Sequence, residues 1–110
     1  MTEAQIQTEI LTGLKSEFPA LIHFRVLSGI IRANKNYIHG APKGTPDICG
    51  YLPDGRFLGI ECKTPGGDVK QEQYDFAVAA TRAGAVVFQA SSWDDCKRKL
   101  MEAMKCQKRD

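Results

Sequence analysis

A Pro53-Asp54-Gly55 turn lies midway between Asp47 and the run Glu61-Cys62-Lys63. Positions 47 and 61 average to 54, so a hairpin folded about Asp54 sets the two carboxylates opposite each other, about 5 Å apart on one face. Side chains alternate along a strand, which brings Lys63 to the same face and turns Cys62 to the other. This ties the middle of the chain to one register, because a slip of a single residue carries Glu61 to the opposite face.

The flanking segments suit an α/β fold. In residues 3–17 the apolar positions Ile6, Ile10, Leu11 and Leu14 recur at three and four, which is helical spacing, and Pro19 ends the run. Residues 21–27 alternate in part and are rich in strand formers, and Ser28-Gly29 leaves room for a turn into Ile30-Ile31-Arg32-Ala33. Residues 34–45, with their Asn, Gly, Pro and Lys, are expected to form a long loop. The central hairpin takes residues 47–52 and 56–63, and Thr64-Pro65-Gly66-Gly67 closes it. Asp68 as N-cap with Gln71 three residues on predicts a helix to about Ala83, stopped by Gly84. A short buried strand over residues 85–90 follows, then an amphipathic helix opened by Ser91 or Ser92 and running to about Lys105. The expected order is helix, three strands, helix, strand, helix.

At 110 residues and 43% hydrophobic content the chain fits one domain, residues 1–110, with a modest core. No run of 18 apolar residues suggests a membrane span, and Met1-Thr2-Glu3-Ala4-Gln5 lacks the basic and apolar parts of a secretion signal, so the expected location is cytoplasmic. Cys49, Cys62, Cys96 and Cys106 form no close Cys-x-x-Cys pair and share the chain with only His23 and His39, which favours reduced thiols over structural zinc.

The net charge of +2 is unevenly spread. Residues 25–45 hold Arg25, Arg32, Lys35 and Lys43 with no acid, and residues 97–110 hold six bases against Glu102 and Asp110. Either stretch could meet a phosphate backbone, although the tail is equally a solvated helix end.

Two anions and a cation on one small face suit a divalent metal beside a reacting phosphate, since carboxylate oxygens are the ligands Mg²⁺ prefers. Asp47 and Glu61 would hold the ion, the main-chain carbonyl of Cys62 could add a ligand, and Lys63 could orient the attacking water or stabilise charge on phosphate. An isolated Glu-X-Lys is ordinarily a surface ion pair; the neighbouring features argue otherwise here. Pro46 biases Thr45 toward extended backbone and launches the strand with Asp47 at its mouth, and Gly44 could admit a nucleic-acid backbone. Gln73 falls on the apolar face formed by positions 69, 73, 76, 77, 80 and 84, where a polar group needs a partner: Lys63, a metal-bound water or the scissile phosphate. Glu9, at the border of the first helix's apolar stripe, could lean toward the pair as a third acid. Tyr74 and Trp93 are expected to be structural or surface residues, and Lys70 could touch phosphate.

Together, Gly44-Thr45-Pro46-Asp47, the hairpin, Glu61-Cys62-Lys63-Thr64-Pro65-Gly66-Gly67, Gln73, Gly84 and the strand after it resemble the virus-type replication-repair nuclease (VRR-NUC) domain of the PD-(D/E)XK nuclease superfamily. The resemblance spans nearly the whole chain and is strongest over residues 44–89. It implies a restriction-endonuclease-like αβββαβ(α) core with a mixed central sheet flanked by helices, and Mg²⁺- or Mn²⁺-dependent cleavage of DNA. It implies ligation by Asp47 and Glu61 with Lys63 catalytic, and raises Glu9 to a metal ligand and Gln73 to an active-site residue. Cys62 occupies the variable middle position of the motif. Stand-alone members of the family resemble phage proteins acting on branched DNA, some of them dimeric like Holliday junction resolvases, which implies a homodimer in a bacterial or phage-infected cell. The rival expectations are a catalytically silent nucleic-acid-binding module of the same fold and a flap or nicking nuclease.

Overall fold

The computed structural model of the chain describes residues 1–106, the side chains of residues 31 and 33 excepted; the tail bases Lys108 and Arg109 lie outside the described residues. The first helix, α1 (Glu3–Glu17), opens on a capping box in which the Thr2 hydroxyl accepts the Gln5 N–H at 3.2 Å and the Gln5 Oε1 accepts the Thr2 N–H at 2.8 Å. Its apolar stripe, Ile6, Ile10 and Leu14, is buried as the spacing predicts.

Strands β1 (Ile22–Arg25), β4 (Ile48–Tyr51), β5 (Phe57–Cys62) and β6 (Val86–Ala90) form one sheet in the order β1-β4-β5-β6, while β2 (Ile30–Ala33) and β3 (Asn36–His39) form a separate two-stranded ribbon. The sheet is mixed: β1 and β5 flank β4 antiparallel, and β6 joins β5 parallel through a crossover containing α2 (Gln71–Arg82). A last helix, α3 (Trp93–Lys105), is N-capped by Ser92.

The central register is the expected one. Ile48 pairs with Ile60 and Tyr51 with Phe57, so continuing the ladder by one residue sets Asp47 against Glu61. The turn that fixes it has Gly55 at φ +92° and two bonds between its flanks, from the Gly55 N–H to the Leu52 carbonyl and from the Leu52 N–H to that of Arg56, both 2.9 Å. Leu58, Ile60 and Cys62, with Phe88 and Ala90 beside them, face α1 and α3 and build the core with Ile6, Ile10, Leu14 and Leu100. Glu61 faces the other way, toward α2. No residue of α2 is buried, so this second face is only lightly covered.

Two expectations are corrected. Residues 34–45 are not all loop: Tyr37 and Ile38 belong to β3, which pairs with β2 across a two-residue turn where Asn34 takes φ +57°. An asparagine tolerates that left-handed backbone, so a composition read as loop also served a tight hairpin. The cap of α2 is Lys70 rather than Asp68: the Gly67 N–H bonds to the Thr64 carbonyl at 2.9 Å in a turn that delays the helix, and the Gln73 Oε1 accepts the Lys70 N–H at 3.1 Å. All four cysteines are free thiols, and Cys49, Cys62 and Cys96 are buried. Among the described residues no helix is long and apolar enough to cross a membrane.

Gly13 sets how closely α1 approaches α3. A Cβ built there would lie 2.2 Å from Cδ2 of Trp93, whose ring also meets Phe18 edge-on. Gly13→Ala should therefore lower the melting temperature, because overpacking of about 1–3 kcal/mol exceeds the helix-propensity gain of about 1 kcal/mol. An unchanged or higher melting temperature would show that the indole yields freely.

Candidate active site

The strand carrying Asp47 is seated by two small residues. Gly44, at φ +95°, lies against α2 so closely that a Cβ would stand 2.3 Å from the Glu72 carbonyl oxygen, and the missing side chain of Gly59 leaves space for Pro46, whose Cγ would lie 2.7 Å from a Cβ there. Gly44 thus leaves room for α2 on the side where a side chain would stand. Asp47 is then held at both ends: its carbonyl accepts the Val26 N–H at 2.8 Å, and its Oδ2 accepts the Cys62 N–H at 2.9 Å.

Among the described residues the buried charged side chains are Glu61, 5% exposed, near the end of β5, and Lys63, 7% exposed, just past that end with Cys62 between them. Burying charge is expensive unless it is paired, so finding both here marks the spot. Desolvation, the Asp47 charge and a side-chain hydrogen bond with Asp47 push the Glu61 carboxyl up to about 8, against a smaller opposing pull from Lys63. Gln73 reaches the cluster from α2: its Nε2 donates to Glu61 Oε1 at 2.9 Å. The partner of this polar group on an apolar face is therefore Glu61, which was not among the partners expected for it.

Glu9 is placed elsewhere. Its Oε1 accepts the Trp93 N–H at 3.0 Å, satisfying a free donor at the start of α3. The α1 glutamate near the cluster is Glu3, whose Oε1 lies 3.7 Å from Lys63 Nζ. Its signal was available: Glu3, Ile6 and Ile10 follow one another at three and four, so Glu3 extends the buried stripe. The Cys62 side chain points into the core, where burial pushes its thiol up to about 12, so only its main chain is at the site.

Among the described residues no group of three or more His, Cys, Asp or Glu side chains is gathered around a metal-sized space. The donor set nonetheless suits a hard cation. Asp47 and Glu61 are oxygen donors crowded enough that Glu61 retains a proton, and Mg²⁺ is commonly held by one or two carboxylates with waters completing its shell. Beside Glu61 and Gln73 opens a hollow of about 560 Å³, walled by Val69, Tyr74 and Ala77 of the α2 segment and floored by Val87 and Gln89 of β6.

The basic residues are dispersed. Arg25 ends β1, Arg32 is on β2 and Lys35 at the ribbon's turn, all exposed, while Lys70 caps α2. Lys43 is 3.3 Å from Glu72.

The Glu61 shift carries a sign that can be measured. Unfolded, the carboxyl titrates near 4.5; folded, it keeps its proton to about 8, so the native state binds more protons between those values and stability falls as pH rises through them. In chelated buffer, Glu61→Gln should flatten that decline and be the more stable protein at pH near 8 by urea denaturation. A wild-type stability that does not fall over this range would refute the buried, proton-sharing pair.

No family model matches this chain, and neither does any curated protein or solved structure, so what the cluster does must be inferred from its own residues.

Proposed function

We propose that this chain is a Mg²⁺- or Mn²⁺-dependent, structure-selective DNA endonuclease of the VRR-NUC type, hydrolysing phosphodiesters in branched DNA and acting as a homodimer. The observation that carries the proposal is the burial of Glu61 and Lys63 beside Asp47, with Gln73 bonded to Glu61. The order of elements supports it as well. With the ribbon set aside, α1, β1, β4, β5, α2, β6 and α3 follow the αβββαβ(α) order of a restriction-endonuclease-like core.

Asp47, Glu61 and the Cys62 carbonyl would hold the cation, which when bound supplies charge neutralisation at phosphate and makes its water more acidic. Gln73 keeps the Glu61 carboxylate turned toward Asp47. Lys63, short of water, 3.7 Å from the exposed Glu3 and within electrostatic reach of Glu61, has N–H donors to orient the nucleophile or to stabilise charge building on the phosphoryl oxygens. The hollow next to Glu61 would receive the nucleotide on one side of the scissile bond, and Lys70 at its entrance a neighbouring phosphate. A dimer would present two such sites about a twofold axis, as paired cuts across a junction require.

The rival in another class is a nucleic-acid-binding module without activity. A module has no need of buried, mutually repelling acids, which a catalytic site does. Labelled four-way junction, flap and linear duplex should separate the two. Cleavage is expected with Mg²⁺ or Mn²⁺, none with EDTA, and a loss of at least about 100-fold in rate for Lys63→Ala with binding kept. Tight binding without cutting in any metal would refute the enzyme, and one-sided cuts confined to a flap would replace the resolvase-like activity with a flap nuclease.

A further inference from the structure

The β2–β3 ribbon has no role in the site described above, and it is built unlike the rest of the molecule. Among the described residues it makes no extensive contact with any other strand or helix; the main-chain bonds that tie it to the body are at its root, where the Gly29 N–H bonds to the Ala41 carbonyl at 2.9 Å, the Gly40 N–H to that of Gly29 at 2.8 Å and the Ala41 N–H to that of Leu27 at 2.9 Å. An isolated two-stranded hairpin is marginal in water. This one also exposes side chains that ordinarily seek cover: Ile30 is 67% exposed, Tyr37 68% and Ile38 52%. A partner is therefore needed.

Charge identifies it. Arg32 and Lys35 are on the ribbon, Arg25 and Lys43 flank its root, and residues 25–46 contain no acid. A second copy of the ribbon laid against the first would oppose like charges, whereas a polyphosphate would neutralise them. The register puts Arg32 directly across from Tyr37, so one face offers a cation and an aromatic ring side by side. That combination suits a phosphate next to a base. The dimensions agree, since the DNA major groove admits a two-stranded ribbon.

We infer that the β2–β3 ribbon is a DNA-binding arm that selects branched over continuous duplex. The inference deepens the nuclease proposal and rests on it for the class of substrate. Arg32 and Lys35 grip phosphates of any duplex. Tyr37 on the Arg32 face and Ile38 on the opposite face gain cover only where the ribbon can enter between uncovered base faces, as at a junction centre, because a continuous duplex keeps its base faces stacked. The phosphate contacts supply affinity and the apolar contacts supply the preference.

The bonds that join residues 27–29 to Gly40 and Ala41 at the root make the arm removable. In a ribbonless variant residues 30–39 are replaced by an Asn-Gly link, and binding of a four-way junction and a linear duplex is read by fluorescence anisotropy in EDTA at several salt concentrations. The full chain should prefer the junction, and the ribbonless variant should bind both DNAs alike while melting at the same temperature. Arg32→Gln with Lys35→Gln should make the slope of log affinity against log salt shallower by about 2 and keep the preference. Tyr37→Ser with Ile38→Ser should do the reverse. A ribbonless variant that still prefers the junction overturns the inference. So does a dimeric full chain whose ribbonless form is monomeric with DNA binding unchanged, which would make the ribbon a contact between copies. Junction preference lost with the ribbon supports the arm even where no metal brings about cutting, in which case the nuclease proposal alone fails.

Discussion

The pairing of Ile48 with Ile60 is the contact on which the two faces of the sheet depend. Both side chains are fully buried against α1 and α3, so hydrophobic burial resists any shift of β4 along β5. Because the next pair outward is Asp47 and Glu61, the same resistance holds two acids together on the opposite face. Core and cluster are thus one constraint seen from two sides: apolar residues on the even positions of β5 set where its odd positions point.

Holding the acids there has a thermodynamic consequence. Glu61 is buried beside a like charge, and Lys63 is buried with its nearest described acid, the exposed Glu3, 3.7 Å away. Neither arrangement stabilises a fold as much as packed apolar groups of the same size would. The core on the other face is continuous through Ile6, Ile10, Leu14, Leu58, Ile60 and Leu100, and tolerates the strain.

The hairpin and its carboxylates were legible because turn chemistry, strand alternation and the positions of Asp47 and Glu61 all agree on one register. Gln73 was legible as a polar residue out of place on an apolar helix face, which says that a partner exists without saying which. Other features depend on tertiary geometry. Whether Glu3 or Glu9 meets the cluster is decided by where α3 begins, since the Trp93 N–H captures Glu9. Strand β3 was hidden by its own composition: Asn34, Asn36 and Gly40 carry turn signals, and only two apolar residues between them argue for a strand. The start of α2 moved because Gly66 and Gly67 take up a turn before any cap can act.

Gln73 joins two tasks in one side chain. Its amide oxygen closes the first turn of α2 and its amide nitrogen steadies Glu61, so the two ends of the group are committed in opposite directions. A glutamate at this position could serve the helix equally well but would present a second negative oxygen to Glu61, and a leucine would serve neither. Fraying of that first turn would also loosen the carboxylate, which makes the order of a surface helix end and the geometry of an interior acid a single mechanical variable.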